Sequence, residues 1–145
     1  MTSSGMAAIT TTLLPVLSSG DHLLAQNGLY GGTHDFIIKD FASFGISIDF
    51  VDGDDPDSWG HQLRPNTKAI YFETMTNPLL QVADLEAVVE FVKSHGLVSL
   101  IDNTFLTPIN FRPPEWGSTF RFIAVQNIST VIRILWQELS SAVPI

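Results

Sequence analysis

At 145 residues, with 45% apolar and 15% charged residues, the chain has the size and composition of one domain that buries a core. Its formal net charge is −8 and its seven Lys and Arg residues are scattered singly, which argues against nucleic acid or an anionic membrane as partner. The absence of cysteine excludes disulfides and thiolate catalysis and leaves the redox compartment undecided.

Taken in chain order, short helix-like and strand-like segments alternate. Ser4–Leu17 reads as a helix broken by Pro15 and stopped by Ser18–Gly20. Its apolar run Met6–Leu17 lacks a basic flank and is too short to cross a bilayer. That run is therefore expected to be neither signal peptide nor membrane anchor, and the cytoplasm is the default location, with a targeting segment before Met1 left open. Asp21–Ala25 reads as a strand, Gly32–Phe44 as a helix ending at Gly45, and Ile46–Val51 as an alternating strand. Lys68–Glu73 follows as a further strand. Asp84–His95 is the best-formed helix: Asp84 can cap it, Leu85, Val88, Val89 and Val92 make an apolar stripe, and Gly96 can close it. Leu97–Ile101 is apolar almost throughout, as suits a strand buried on both faces. This alternation predicts an α/β fold with a mostly parallel sheet flanked by helices. Ligands in such sheets sit beyond the carboxyl ends of the strands, where Asp102 falls.

Four segments could carry chemistry, and each also has a plain structural reading. Ser3–Ala8 (SSGMAA) places a small, glycine-containing turn at a helix start, where free N–H groups and the helix dipole suit a phosphate. It is equally a serine-capped helix. Tyr30, before Gly31–Gly32, could stack on a flat heterocycle or simply pack on a turn. Asp102 could pair with a protonated pyridine nitrogen, or cap the next turn through Asn103 and Thr104. Asn77, before Pro78, could bond a ring hydroxyl, and either Asn77 or Glu73 could be a turn residue, the preferred reading for Glu73. His22, His34, His61 and His95 show no metal-ligand spacing and read as surface or packing residues.

Taken together and in order, SSGMAA, LYGGT at Leu29–Thr33, ETMTNP at Glu73–Pro78 and LVSLIDN at Leu97–Asn103 resemble the pyridoxal-phosphate (PLP) domain of the transsulfuration enzymes, the cystathionine lyase and synthase family of Cys/Met metabolism. The resemblance implies a fragment of the type I PLP-dependent transferase large domain over residues 3–117. It assigns Gly5 and Met6 to the phosphate, Tyr30 to ring stacking, Asp102 to the pyridine nitrogen, and Asn77 and Thr104 to the vicinity of the ring. It further implies carbon–sulfur bond chemistry on cystathionine or a related sulfur amino acid, cystathionine γ-lyase-like above all. The implied assembly is a homo-oligomer, a dimer of dimers with shared active sites.

The resemblance stops at Gly117, before the Ser-x-Thr-Lys motif that supplies the Schiff-base lysine. That lysine is expected near Ala124–Asn127, yet no lysine follows Lys93, so no catalytic residue is assigned. The resemblance also implies an N-terminal arm before Met1 and a smaller C-terminal domain after Ile145. Permitted codons for Gly117–Ile145, with one T inserted after the Gly117 codon, read GFDLSLHSCTKYLNGHSDIVAGAVIGSAD, which contains the missing lysine motif unbroken. Residues 118–145 are accordingly expected to be an out-of-frame tail rather than a domain, with Val131–Trp136 an aggregation liability. Two further readings stand beside the enzyme reading. One is a non-catalytic fragment, without function or paired with an intact paralogue. The other is a doubly wound domain for a different phosphate ligand, which explains neither Tyr30 nor Asp102.

Overall fold

The computed structural model of the chain describes residues 4–110, residue 112 and the backbone of residues 120–122. Nine-residue helix α1, Gly5–Leu13, starts where the Ser4 hydroxyl accepts the Ala7 N–H at 3.1 Å. Thr10 and Thr12 bond back to the carbonyls of Met6 and Ala8 at 2.8 and 2.7 Å, which reconciles their hydroxyls with a helix interior. Strand β1 is His22–Gln26, and helix α2, Gly31–Phe36, continues as a π-helical turn over Ile37–Phe41. The helix expected over residues 32–44 is thus present but locally widened, with Ile37 and Phe41 both buried.

Strand β2 is Ser47–Val51; a 3-10 segment, Pro56–Gln62, then buries Trp59 before β3, Thr67–Glu73. Helix α3, Leu85–His95, is built as its sequence predicts. Asp84 accepts the Ala87 N–H at 3.0 Å, Gly96 closes the helix at φ 65°, and Leu85, Val88, Val89 and Val92 are buried. Strand β4, Val98–Asp102, is followed by the short helix α4, Thr107–Asn110, and by β5, Phe120–Phe122. Strand β5 lies in the segment expected to be out of frame. Residues 123–145, with Val131–Trp136, are outside the described residues.

All five strands are parallel, in the order β2-β1-β3-β4-β5. Alternate residues feed two cores. Leu23, Ala25, Ala69, Tyr71 and Leu100 pack with α1 and the α2 region, while Leu24, Ile70, Phe72 and Ile101 pack with Trp59 and α3. Burial on both faces is why β1, β3 and β4 read as apolar runs. The β1–β2 connection leaves over one face in one direction, and the β3–β4 connection leaves over the other face in the opposite direction. Crossovers of one hand running in opposite directions require this arrangement. It opens a crevice outside the carboxyl ends of β1 and β3, the switch point at which α/β sheets take ligands.

Candidate functional site

Three polar residues end the strands at this crevice: Gln26 on β1, Glu73 on β3 and Asp102 on β4. Glu73 and Asp102 are register partners, so the two carboxylates stand side by side. Alternation puts them on the same face as Tyr71 and Leu100, the face covered by α1 and α2. Both are nearly enclosed, Glu73 at 5% exposure and Asp102 at 7%.

Each is tied in place. The Glu73 N–H donates to Gln26 Oε1 at 2.9 Å, and Glu73 Oε1 accepts the Tyr30 N–H at 2.9 Å. Burial pushes the Glu73 carboxyl up to about 7; the Tyr30 N–H opposes that rise and the neighbouring Asp102 charge adds to it. Asp102 Oδ1 accepts the Thr104 N–H at 2.9 Å and also the Thr104 hydroxyl. The turn-capping reading of Asp102 therefore describes what this oxygen does, and the same bonds aim the carboxylate along the strand end. Beneath the pair, burial first, then the Asp102 and Glu73 charges, hold the Tyr71 hydroxyl well above its ordinary range.

Tyr30 stands at the N-terminus of α2 with 45% of its surface exposed. A Cβ built on Gly32 would meet Tyr30 Cε1 at 2.6 Å and Met6 Sδ at 3.2 Å. The ring thus lies back over Gly32 and beside Met6, bringing the start of α1 and the aromatic face together. Of the residues singled out from the sequence, Gly5, Met6 and Tyr30 gather on one flank of the crevice and Asp102 and Thr104 on the other, with Glu73 joining them. Asn77 is exposed in the loop closed by the Met75–Val82 bridge, joined to Pro78 by a cis peptide. Among the described residues, no hydrogen bond links Asn77 to Tyr30, Glu73 or Asp102.

Gln26 is the site residue that sequence reasoning missed, and Glu73 was weighed there and read as a turn residue. Their signal was the one that marked Asp102, a polar side chain ending an apolar strand. A cavity of about 170 Å³ adjoins Gln26, lined also by Asn27, Asp52, Asp54, Leu79 and Gln81 among others. Lys39 pairs with Asp35 at 2.7 Å on the helix surface, and Lys68 and Lys93 are exposed at the start of β3 and in the last turn of α3. Among the described residues, no group of His, Asp and Glu is placed to hold a metal, and no helix is long and apolar enough to cross a membrane.

An oriented carboxylate at a strand end, an exposed aromatic ring and a helix N-terminus are the donor set that a phosphorylated pyridine requires, and the residues present fit such a group. The comparisons agree. The chain is 43% identical over 116 residues to a cystathionine γ-synthase/O-acetylhomoserine (thiol)-lyase of Bacillus subtilis (strain 168), covering 80% of this chain and 31% of that one. It is 45% identical over 115 residues to a cystathionine β-lyase from the same organism, covering 79% and 29%. A Campylobacter jejuni structure assigned as an O-acetylhomoserine (thiol)-lyase, which carries a pyridoxyl-lysine phosphate, superposes with a TM-score of 0.80 at 39% identity over 83% of this chain and 30% of that one. The chain therefore spans about a third of the length of these relatives. Residues 1–121 match the family model, and the chain belongs to the Cys/Met metabolism PLP-dependent enzymes.

Proposed function

We propose that the crevice is the cofactor half of a transsulfuration-type carbon–sulfur lyase or synthase site, cystathionine γ-lyase-like, and that this chain as it stands does not turn over substrate. The observation that carries the reading is the convergence of Tyr30, Glu73 and Asp102 at the switch point. In the proposed site the N–H groups opening α1, from Gly5 and Met6, receive a phosphate. The Tyr30 ring would cover one face of the pyridine, and Asp102 would hold a proton on the ring nitrogen. Thr104 keeps that carboxylate aimed. PLP supplies an electron sink for a carbanion formed on the substrate. What is lacking is a lysine at the expected position, both to anchor the cofactor and to move the substrate proton. The shifted reading frame after Gly117 accounts for its absence.

Two measurements test this. Titrating the full chain with pyridoxal 5'-phosphate should give weak, reversible binding that Asp102→Asn weakens further. It should give no borohydride-stable adduct on Lys39, Lys68 or Lys93. An adduct on any of these would place the chemistry elsewhere. Sequencing the transcript across codons 115–125 should reveal an extra base in a functional copy or close paralogue, whereas an unrelated, properly spliced exon would end the frameshift account. The second reading, a non-catalytic chain held by an intact homologous subunit, is favoured by the exposed apolar side chains of Leu79, Leu80, Val82 and Ile109. Rescue of solubility by co-expression with an intact family member supports it.

A further inference from the structure

The crevice contains a contact that the cofactor roles above do not use. The loop leading from β1 to Tyr30 contains Gly28 at φ +75°, and Gly31 and Gly32 follow directly after Tyr30. Glycines on both sides leave the backbone at Tyr30 little intrinsic preference for one path. No side chain caps α2 there. The Tyr30 N–H is held from 43 residues away by Glu73 Oε1. Glu73 is itself fixed three ways: by strand pairing with Asp102, by its N–H on Gln26, and by enclosure.

We propose that Glu73 is the positioning residue for Tyr30: its carboxylate anchors the glycine-flanked loop so that the aromatic face stands over the crevice beside Asp102. The inference rests on the reading of Tyr30 as the stacking residue, and it adds a coupling. Glu73 and Asp102 carry like charges on paired strands, so each ionises at the other's expense. A cationic ring against Asp102 removes that opposition. Glu73 then ionises more readily, and its bond to the Tyr30 N–H becomes charge-assisted and stronger. Occupation of the floor of the site thereby tightens the anchor of its wall. An uncharged acceptor at position 73 would hold the loop without this response.

The test is amide hydrogen exchange at Tyr30 in the full chain, read against the amides of Leu24 and Leu100 in the sheet. Glu73→Ala should speed exchange at Tyr30 roughly tenfold while leaving the sheet amides unchanged, and Glu73→Gln, which keeps the acceptor oxygen, should restore most of the protection. Protection of Tyr30 in the unsubstituted chain should rise as Glu73 ionises, between about pH 6 and pH 8, and should be flat in Glu73→Gln. Should Glu73→Ala fail to fold, that pH comparison decides the matter alone. Equal Tyr30 protection in the native chain and Glu73→Gln at every pH would overturn the proposal, as would exchange in Glu73→Gln as fast as in Glu73→Ala. Added pyridoxal 5'-phosphate should increase Tyr30 protection in the native chain and not in Glu73→Gln. If the exchange results hold while pyridoxal 5'-phosphate leaves the spectrum unchanged, the cofactor reading fails and the positioning role stands.

Discussion

The two ends of the sheet treat buried charge in opposite ways. At the amino end, His22 is fully enclosed, with Nδ1 2.8 Å from Thr67 Oγ1 and Nε2 3.2 Å from Asp49 Oδ2. Arg64 completes the group, its NH2 2.6 Å from the same Asp49 oxygen. Every charge there meets an opposite one or a hydroxyl. At the carboxyl end, Glu73 and Asp102 sit side by side with the same sign, and Glu73 is pushed up to about 7 as a result of burial and that neighbour. A fold gains nothing from packing two acids together, so the carboxyl end bears a cost of paired acids that the amino end, where Asp49 faces Arg64 and His22, does not. Such costs mark sites kept for binding or chemistry rather than for stability.

The comparison breaks most sharply at His22. Replacing a fully buried ring, bonded to Thr67 through Nδ1 and facing Asp49 through Nε2, with alanine leaves a cavity and strips a partner from Thr67, for an expected loss of about 3 kcal/mol. Chemical denaturation of His22→Ala measures it. A loss below about 1 kcal/mol would show that the amino end is not the structural cluster described here.

The carboxyl end should respond in the other direction. Glu73 has its carboxyl raised from 4.5 to about 7 on folding, so its favourable contribution is complete below 4.5 and disappears as pH rises through about 7. The difference amounts to about 3 kcal/mol. Glu73→Gln removes that dependence but weakens a charge-assisted bond to Tyr30. A net gain of about 2 kcal/mol is therefore expected at pH 8 and none at pH 5. Destabilisation by Glu73→Gln at pH 8 would mean that the two carboxylates are not in conflict.

His22 gives the mirror image. Its pKa is lowered from 6.5, by burial first and by Arg64 second, against the pull of Asp49. For a base held below its unfolded value, the stabilising contribution is present above pH 6.5 and is lost as pH falls through the lower folded value. Acid should therefore lower the stability of the whole fold through His22, and alkali through Glu73, even as the local bond from Glu73 to the Tyr30 N–H strengthens. An NMR titration of the His22 ring with a midpoint at or above 6.5 would contradict this.

What the sequence made legible follows from how far each signal reaches. Helix α3 could be read in full because its determinants are local: Asp84 three residues from the amide it accepts, an apolar stripe at helical spacing, and Gly96 just beyond. The parallel sheet could be read from the apolar runs that burial on both faces requires. The 3-10 segment over Pro56–Gln62 was not read, although Pro56 at its start and the buried Trp59 are local marks of it. Glu73 was read as a turn residue because its decisive contact, the Tyr30 N–H, lies 43 residues away and leaves no trace in the spacing around either residue. Asp102 allowed two readings locally, and the structure shows why: one carboxylate oxygen already serves Thr104 while the group stands at the crevice. The family resemblance supplied what local spacing could not, the joint meaning of segments far apart in the chain.

The smallest expected effect on stability is at Gly32, and it separates stability from site geometry. Its φ lies outside the left-handed region, so alanine strains no backbone there, and within α2 it should gain about 0.5–1 kcal/mol of helix propensity. Against that gain stands the contact of the new Cβ with Tyr30 Cε1 at 2.6 Å and Met6 Sδ at 3.2 Å. Both atoms are the far ends of side chains that can swing aside, Tyr30 the more easily because it is half exposed. Gly32→Ala should therefore shift the melting temperature little while moving the Tyr30 ring off Met6. That would appear as changed Tyr30 ring chemical shifts and as weaker pyridoxal 5'-phosphate binding at unchanged fold. A large loss of stability would instead mean that the ring is packed too firmly to yield, making Tyr30 a structural residue before it is a stacking one.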